Sequence, residues 1–569
     1  MNLRWVRKPQ ADQESVKSLS KELNIHPVLA QMLIQRGHDT FEKAKVFFRP
    51  SLDMLHDPFL MKDMDLAVER INTAMAKGEK ILVFGDYDVD GTTAVALVYT
   101  YLHKIHRQID FYIPDRYAEG YGVSTKGIDW AHDNGFTLII ALDCGIKSVE
   151  KIAYAKTKGV DFIICDHHRP GNELPEAVAV LDPKRADCEY PYKELSGCGV
   201  GFKLIQALSI HNDQDPEELG EYLDLVAISI AADIVPITGE NRVLAYYGLQ
   251  SINNKPRPGI QAILNLSGFK GEISVSEVVF SIAPRINAAG RIESGRQAVE
   301  LLIAESDLEA ARHGQAIDIN NTKRKGLNES ITKDALALID GDADFVNRKS
   351  TVLFNPDWHK GVIGIVASKL TDEFYRPTII LTESNGMVSG SARSVKDFDV
   401  YNAIEQCSDL LEQFGGHMYA AGLTLKPENV ELFKTRFEEI VSSTIEDRML
   451  TREIEIDNHV HLDDITPGFF SILKQFSPFG PGNLSPVFVS ENVVDKGSIR
   501  IVGNNHLKLS LLHHQQGNAV FDAIAFQMGK HYNRIASKKP FHVCYHLEEN
   551  NFRGRTTLQL NIKDISFVH

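Results

Sequence analysis

Between Lys80 and Cys165, short and wholly apolar runs alternate with stretches in which apolar residues recur at helical spacing. Ile81-Leu82-Val83-Phe84 reads as a strand, and Thr92–Ile105 as a helix opening just after Gly91. Asp110–Ile113 reads as a strand that stops at Pro114. Thr137–Leu142 and Asp161–Cys165 read as buried strands on either side of a helix at Val149–Lys158. Strands that are apolar at every position belong to a parallel sheet covered on both faces. The pattern therefore predicts an α/β fold with a doubly wound parallel sheet.

The rest of the chain has other rhythms. Residues 1–50 read as short helices, with Val28–Leu33 as the clearest apolar stripe and no evident chemistry. Ser294–Asp340 is long, charged and helix-favouring, includes the basic run Lys323-Arg324-Lys325, and predicts a helix connecting two lobes. A second α/β lobe follows from Lys349 to Ser443, with strands at Thr351–Phe354 and Thr378–Leu381 and a helix at Val362–Leu370. From Pro486 the runs become short and alternating (Val487-Phe488-Val489, Leu507-Lys508-Leu509, Thr557–Leu560). That rhythm predicts an all-β module of the small Greek-key barrel type.

Composition narrows the reading. The formal net charge of −15 taken alone opposes a nucleic-acid partner, because phosphate binding needs a positive surface. A local basic groove can coexist with that sum, and metal-binding carboxylates inflate it. The six cysteines form no CxxC pair, which argues against a disulfide framework or a zinc ribbon. Cys144 and Cys165, beside apolar runs, are expected to be buried. There is no apolar run of membrane-spanning length, and no apolar stretch follows the charged Met1–Gln10. A soluble cytoplasmic protein is therefore expected.

The acids fall in a telling place. Asp86-Tyr87-Asp88-Val89-Asp90-Gly91 follows the first strand, Asp143 follows the Thr137–Leu142 strand, and Asp166-His167-His168 follows the Asp161–Cys165 strand. In a parallel sheet these strand ends share one edge, where open α/β sheets place their ligand sites. A single aspartate at a strand end is ordinarily a helix cap or turn residue. Three acid-bearing ends bring five carboxylates and two imidazoles into one crevice, and such crowding needs a cation. Carboxylates with imidazole suit Mn²⁺ or Mg²⁺ better than zinc. The donors exceed what one ion needs, so two divalent cations about 3.5–4 Å apart are expected, the arrangement that drives in-line phosphoryl displacement. Gly91-Thr92-Thr93, opening a helix, would favour an anion at its amides.

DYDVDG at 86–91, ALDCG at 141–145 and DHH at 166–168 together resemble the DHH phosphoesterase superfamily. Gly390-Ser391-Ala392-Arg393-Ser394, Phe414-Gly415-Gly416-His417 and Ala420-Ala421-Gly422 resemble the DHHA1 domain that follows it. Ile113–Arg116, Glu119–Gly122 and Pro284–Arg291, with the full length and the C-terminal β module, are most similar to the bacterial single-strand-specific DNA exonucleases of that superfamily. The resemblance implies a DHH domain at 51–260, a helical connector at 261–345, a DHHA1 domain at 346–448 and an OB-fold-like nucleic-acid-binding domain at 449–569, after an N-terminal helical segment at 1–50.

The same resemblance implies roles. Asp88, Asp90, Asp143, His167 and Asp233 correspond to metal ligands, with Asp143 bridging and Asp86 as an outer or variable ligand. His168 corresponds to the residue at the scissile phosphate and to a candidate acid. Arg116, Ser391 and Arg393 correspond to a pocket for a terminal 5′-phosphate; Arg285, Gly415, Gly416 and His417 correspond to further DNA contacts. For Gly415-Gly416 a plain tight turn, and for Arg393 a surface ion pair, stay open as alternatives. One position departs: many relatives, family II pyrophosphatases among them, carry a histidine four residues before Asp88, where this chain has Phe84. The implied activity is 5′-to-3′ removal of mononucleotides from single-stranded DNA in recombination and repair, by a monomer that contacts single-strand-binding protein and a RecQ-type helicase. Two rivals share the scaffold: enzymes of short oligoribonucleotides or cyclic dinucleotides, usually shorter and without the β module, and non-catalytic DNA-binding relatives that have lost metal ligands.

Overall fold

The computed structural model of the chain describes residues 3–515, 517–552 and 554–567. It divides into two compact units, residues 51–450 and residues 1–50 with 451–569.

The first unit is built on a five-stranded sheet, β1 (Lys80–Gly85), β2 (Ile109–Tyr112), β3 (Phe136–Leu142), β4 (Asp161–Cys165) and β5 (Ala179–Leu181), in the order β2-β1-β3-β4-β5 with every pairing parallel. Successive side chains alternate between two cores. Ile81, Val83, Leu138, Ile140, Leu142 and Ile163 enter one; Leu82, Phe84, Ile139, Ala141, Phe162 and Ile164 enter the other. Burying each of these Val, Leu, Ile and Phe side chains stabilises by roughly 1.5–3 kcal/mol, and polar residues are confined to the strand starts, at Lys80, Thr137 and Asp161, and to Asp110 of the edge strand β2. The doubly wound arrangement is as the apolar runs predict. Because β2 and β3 lie on opposite sides of β1, the topological switch point falls beside the carboxyl end of β1.

Two expected boundaries shift. The helix after β1 runs Val89–Ile105 and so opens before Gly91. Asp88 is its N-cap, accepting the Gly91 N–H at 3.0 Å, a role suited to a short carboxylate side chain. Gly91 is there for clearance: a Cβ would lie 2.5 Å from the Asp86 carbonyl oxygen. The stretch Ser294–Asp340, expected as one connecting helix, is two helices, Arg296–Leu302 and Asp307–Asp340. A Ser306-x-x-Glu309 signature restarts the helix, the Ser306 hydroxyl accepting the Glu309 N–H.

The second sheet of this unit has β6 (Thr351–Phe354), β7 (Thr378–Ser384), β8 (Met387–Arg393), β9 (Leu411–His417) and β10 (Ala420–Leu425) in the order β9-β10-β8-β7-β6, with only β6 and β7 parallel. Its apolar faces are closed by helices Ile363–Phe374 and Val430–Thr444.

The second unit joins the two ends of the chain. Strand Arg4–Arg7 pairs in parallel with Glu453–Ile456. Leu29, Met32, Leu33 and Phe47 of the N-terminal helices share a core with Phe469, Phe476 and Phe488. The β sheet begins at Asn458, ahead of Pro486, and strand Phe488–Asp495 also pairs with His506–His513, which curls the sheet on itself. Among the described residues all six cysteines are free and buried, and no helix is long and apolar enough to cross a membrane.

Candidate metal centre and phosphate cleft

The centre lies where β1, β3 and β4 end. Its focus is His167, the second residue after β4. The His167 Nε2 stands 3.2 Å from Asp143 Oδ1, 3.5 Å from Asp233 Oδ2 and 3.6 Å from Asp90 Oδ2. The other ring nitrogen, Nδ1, is 3.0 Å from the Leu195 carbonyl. A carbonyl can only accept, so Nδ1 carries the proton. Burial holds the imidazole below its ordinary pKa despite the nearby Asp90, which leaves Nε2 an unprotonated lone pair. That nitrogen is buried, has no hydrogen-bond partner, and faces three carboxylates. Acceptor against acceptors is repulsive unless a cation lies between them, so the donor set fits a hard divalent ion.

Each acid is held by a local device. Asp143 takes a left-handed backbone conformation (φ 57°) straight after β3, its N–H bonded to the Cys165 carbonyl. Burial, then Asp90, Asp88 and Asp233, push its carboxyl well above the usual range. Asp233 ends helix Leu223–Ala232, and burial with Asp90 and Asp88 pushes it up to about 8. Asp88 is raised by burial and by Asp90. Asp86 is fully buried; Gly122 N–H donates to its Oδ1 at 3.3 Å while Oδ2 has no partner, and burial with Asp88 raises it well above the usual range. Four acids that resist ionisation together are the signature of a site built around positive charge.

Asp166 plays a different part. It accepts from the His167 and His168 N–H groups, from Ile146 N–H and from His168 Nδ1 at 2.7 Å. Burial opposes its ionisation, but the His168 bond and those amides hold it down at about 2. In return Asp166 overcomes the burial of His168 and lifts it to about 9. His168 Nε2 lies 3.3 Å from the hydroxyl of Tyr121, so a protonated imidazole stands at the mouth of the acid cluster. Phe84, at the position where relatives carry a histidine, is buried in the second core and stacked on Tyr112.

The structure also gathers cations from distant segments of the same unit. Arg116 stacks over Tyr87, with 4.9 Å to the ring centroid. Arg291 Nη1 donates to the Gly361 carbonyl, and burial with Arg116, Arg324 and Arg393 pushes it down to about 10. Arg393 is lowered by burial and by Arg116; its guanidinium donates to Ser368, Ser391 and the Ala392 carbonyl. Cross-strand register explains the grouping: Arg393, Ala420 and His417 lie opposite one another, as do Ser391, Gly422 and Gly415. Residues directly opposite or two apart share a face. Ser391, Arg393 and His417 therefore face one way, over small residues that leave the backbone open. Gly416 has a φ of 147° and a Cβ there would lie 2.3 Å from the Ala420 carbonyl, while Gly415 is unobstructed. Arg285 donates to Asp318 at 3.1 Å and to the Ser281 carbonyl.

Four residues of the centre carry a role that the sequence does not assign to them. Tyr121 was visible only inside the Glu119–Gly122 motif. Ser196, Gly197 and Ser229 come from helices packed behind Asp90, and only the Ser-Gly-Cys-Gly start of helix Gly197–His211 signals a cap. Gly197 has a strict requirement: a Cβ would lie 2.6 Å from Asp143 Cβ and 2.8 Å from its Oδ1. Gly197→Ala should therefore weaken Mn²⁺ binding and hydrolysis about tenfold with the fold retained, as read by calorimetric titration and circular dichroism. Unchanged Mn²⁺ affinity would mean that Asp143 tolerates displacement.

A parallel-sheet domain with acids at its switch point, and with Arg116, Arg291 and Arg393 gathered from three segments of the same unit, defines a DHH-type metal-dependent phosphodiesterase. The DHH family N-terminal domain pattern matches residues 80–230, the DHHA1 domain residues 347–443 and the RecJ OB domain residues 456–564. The single-stranded-DNA-specific exonuclease RecJ of Bacillus subtilis is 39% identical over 99% of this chain and 70% of its own length. That of Salmonella typhimurium is 33% identical over 99% of both. The crystal structure of RecJ with Mn²⁺ from Thermus thermophilus superposes with a TM-score of 0.85 at 26% identity, covering all of this chain and 80% of that one. The chain belongs to the RecJ family of single-stranded-DNA-specific exonucleases.

Proposed function

We infer that the protein is a metal-dependent exonuclease that hydrolyses phosphodiester bonds of single-stranded DNA. The observation that carries this is the unpartnered, buried His167 Nε2 within 3.2–3.6 Å of three carboxylates from separate segments. Asp88, Asp90, Asp143, His167 and Asp233 would hold two divalent cations, Mn²⁺ or Mg²⁺, with Asp86 beside them. When bound, such ions activate water and neutralise charge on a transferring phosphoryl group.

The chain's own residues supply the rest. His168, kept protonated by Asp166, can donate a hydrogen bond to the scissile phosphate or a proton to the leaving oxygen. Arg116, Ser391 and Arg393 form a pocket for a terminal 5′-phosphate, and this end recognition sets 5′-to-3′ polarity. His417 and the open backbone at Gly415 and Gly416 contact the DNA backbone, which needs no base code and leaves sequence preference weak. The RecJ-type OB domain offers a further surface for single strands. Six unpaired cysteines suit the reducing cytoplasm. The protein acts there in recombination and repair, with single-strand-binding protein and a RecQ-type helicase as partners.

The test is degradation of end-labelled single strands and duplexes with Mn²⁺, Mg²⁺ or a chelator. Mononucleotide release from the 5′ end of single strands only, abolished by chelator and restored by Mn²⁺, is expected. Metal-independent cleavage, or preferential turnover of dinucleotides, would overturn the reading.

A further inference from the structure

Of the three carboxylates that face His167 Nε2, Asp90 is the one whose two oxygens are both held by donors. Its Oδ1 accepts from Cys198 N–H at 2.8 Å and from the Ser229 hydroxyl at 2.6 Å. Its Oδ2 accepts from Gly197 N–H at 2.7 Å and is the oxygen that faces His167 Nε2. The Gly197 and Cys198 amides open helix Gly197–His211, whose positive end thus meets the carboxylate. Ser229 Oγ is also 2.6 Å from Ser196 Oγ, which accepts from Gly199 N–H. One hydroxyl has one proton, so Ser196 donates to Ser229 and Ser229 donates to Asp90. Both serines are fully buried.

Ser229 has a second connection. Its carbonyl accepts the Asp233 N–H at 2.9 Å, so one residue ties the Asp233 backbone to the Asp90 side chain. Asp90 and Asp233 are the two carboxylates that, with His167, make one of the two clusters able to hold an ion. Asp143, the third carboxylate facing His167 Nε2 and part of the other cluster, has no bond to Ser229 among the described residues.

We propose that Ser229, relayed from Ser196, is a positioning residue that fixes Asp90 as a one-oxygen ligand and sets the spacing and cation affinity of the Asp90–His167–Asp233 position selectively. With Oδ1 occupied by two donors, only Oδ2 is presented to the ion. Without the Ser229 hydroxyl, Asp90 can turn and the helix end bearing Asp233 loses its link to it. The proposal rests on the reading of the centre as a cation site.

The experiment is Mn²⁺ titration of the full-length protein by electron paramagnetic resonance, with parallel thermal melts of the metal-free form. The parent should bind two Mn²⁺ ions. Ser229→Ala should weaken one of the two binding events about 10- to 100-fold, the range for residues that orient a ligand, and leave the other unchanged. Ser196→Ala should weaken the same event by less, and Ser229→Thr, which keeps the hydroxyl, should restore it. Equal weakening of both events, or of neither, or losses in both serine variants that merely follow the metal-free melting temperature, overturn the proposal. A parent protein that binds no Mn²⁺ overturns instead the reading of the centre on which it stands.

Discussion

Replacing Asp143 by Asn will lower turnover of 5′-phosphorylated single-stranded DNA on the order of 10³-fold, while strand binding stays close to that of the parent. The magnitude is that of losing a preorganised charge at the reacting centre. Asp143 is the acid nearest His167 Nε2, at 3.2 Å, and its Oδ1 is also 3.9 Å from His168 Nδ1, so it stands next to both the proposed metal ligand and the imidazole proposed to act at the phosphate. The grouped cations Arg116, Arg291 and Arg393 do not involve it, which is why binding should survive. Single-turnover hydrolysis with Mn²⁺, set beside fluorescence anisotropy of a labelled strand, measures both; cleavage within about tenfold of the parent would refute the assignment.

The same substitution should stabilise the metal-free protein. Burial and neighbouring acids raise the folded-state carboxyls of Asp143 and Asp233 above their unfolded values, Asp233 to about 8. The native state then binds more protons than the unfolded state between about pH 4 and pH 8, so stability falls as pH rises through that window. Asparagine removes one of the mutually repelling charges. The metal-free variant should therefore melt higher than the parent at about pH 8, and the gap should close towards about pH 4. The centre is thus a place where function costs stability, relieved when a cation binds.

How much of this could be read from the chain depends on how local each signal is. The parallel sheet was legible because burial on both faces keeps polar residues to the starts of β1, β3 and β4, and because the acids follow these strands at short fixed offsets. Asp233 needed the family resemblance, since an aspartate at a helix end is an ordinary cap residue. The break at Ser306 carries a local capping signature that a stretch poor in helix breakers concealed. Ser196, Gly197 and Ser229 were illegible for a different reason. They act through helix packing behind Asp90, Gly197 from 107 and Ser229 from 139 residues further along the chain. A serine or glycine inside an apolar helix carries no mark of what it faces. Arg291 lay in a quoted motif, yet its role emerges only where Arg116 and Arg393 converge on it.

Arg393→Ala should erase the preference for a 5′-phosphate, with kcat/KM on phosphorylated strands falling about 10- to 100-fold and on 5′-hydroxyl strands changing little. The magnitude is the worth of a hydrogen bond to a charged group. Arg393 ends β8, and its guanidinium is anchored by the hydroxyls of Ser368 and Ser391. It is therefore presented rigidly, with Nη2, which takes no part in these bonds, left to donate to a phosphate oxygen. Burial and then Arg116 depress both Arg291 and Arg393, an arrangement costly without an anion and favourable with one. Because Arg116 and Arg393 would share a single phosphate, Arg116→Ala added to Arg393→Ala should cost less than the two singles combined. A surface ion-pair role for Arg393 predicts the opposite pattern, namely a small and equal effect on both kinds of strand, and that result would remove Arg393 from the pocket.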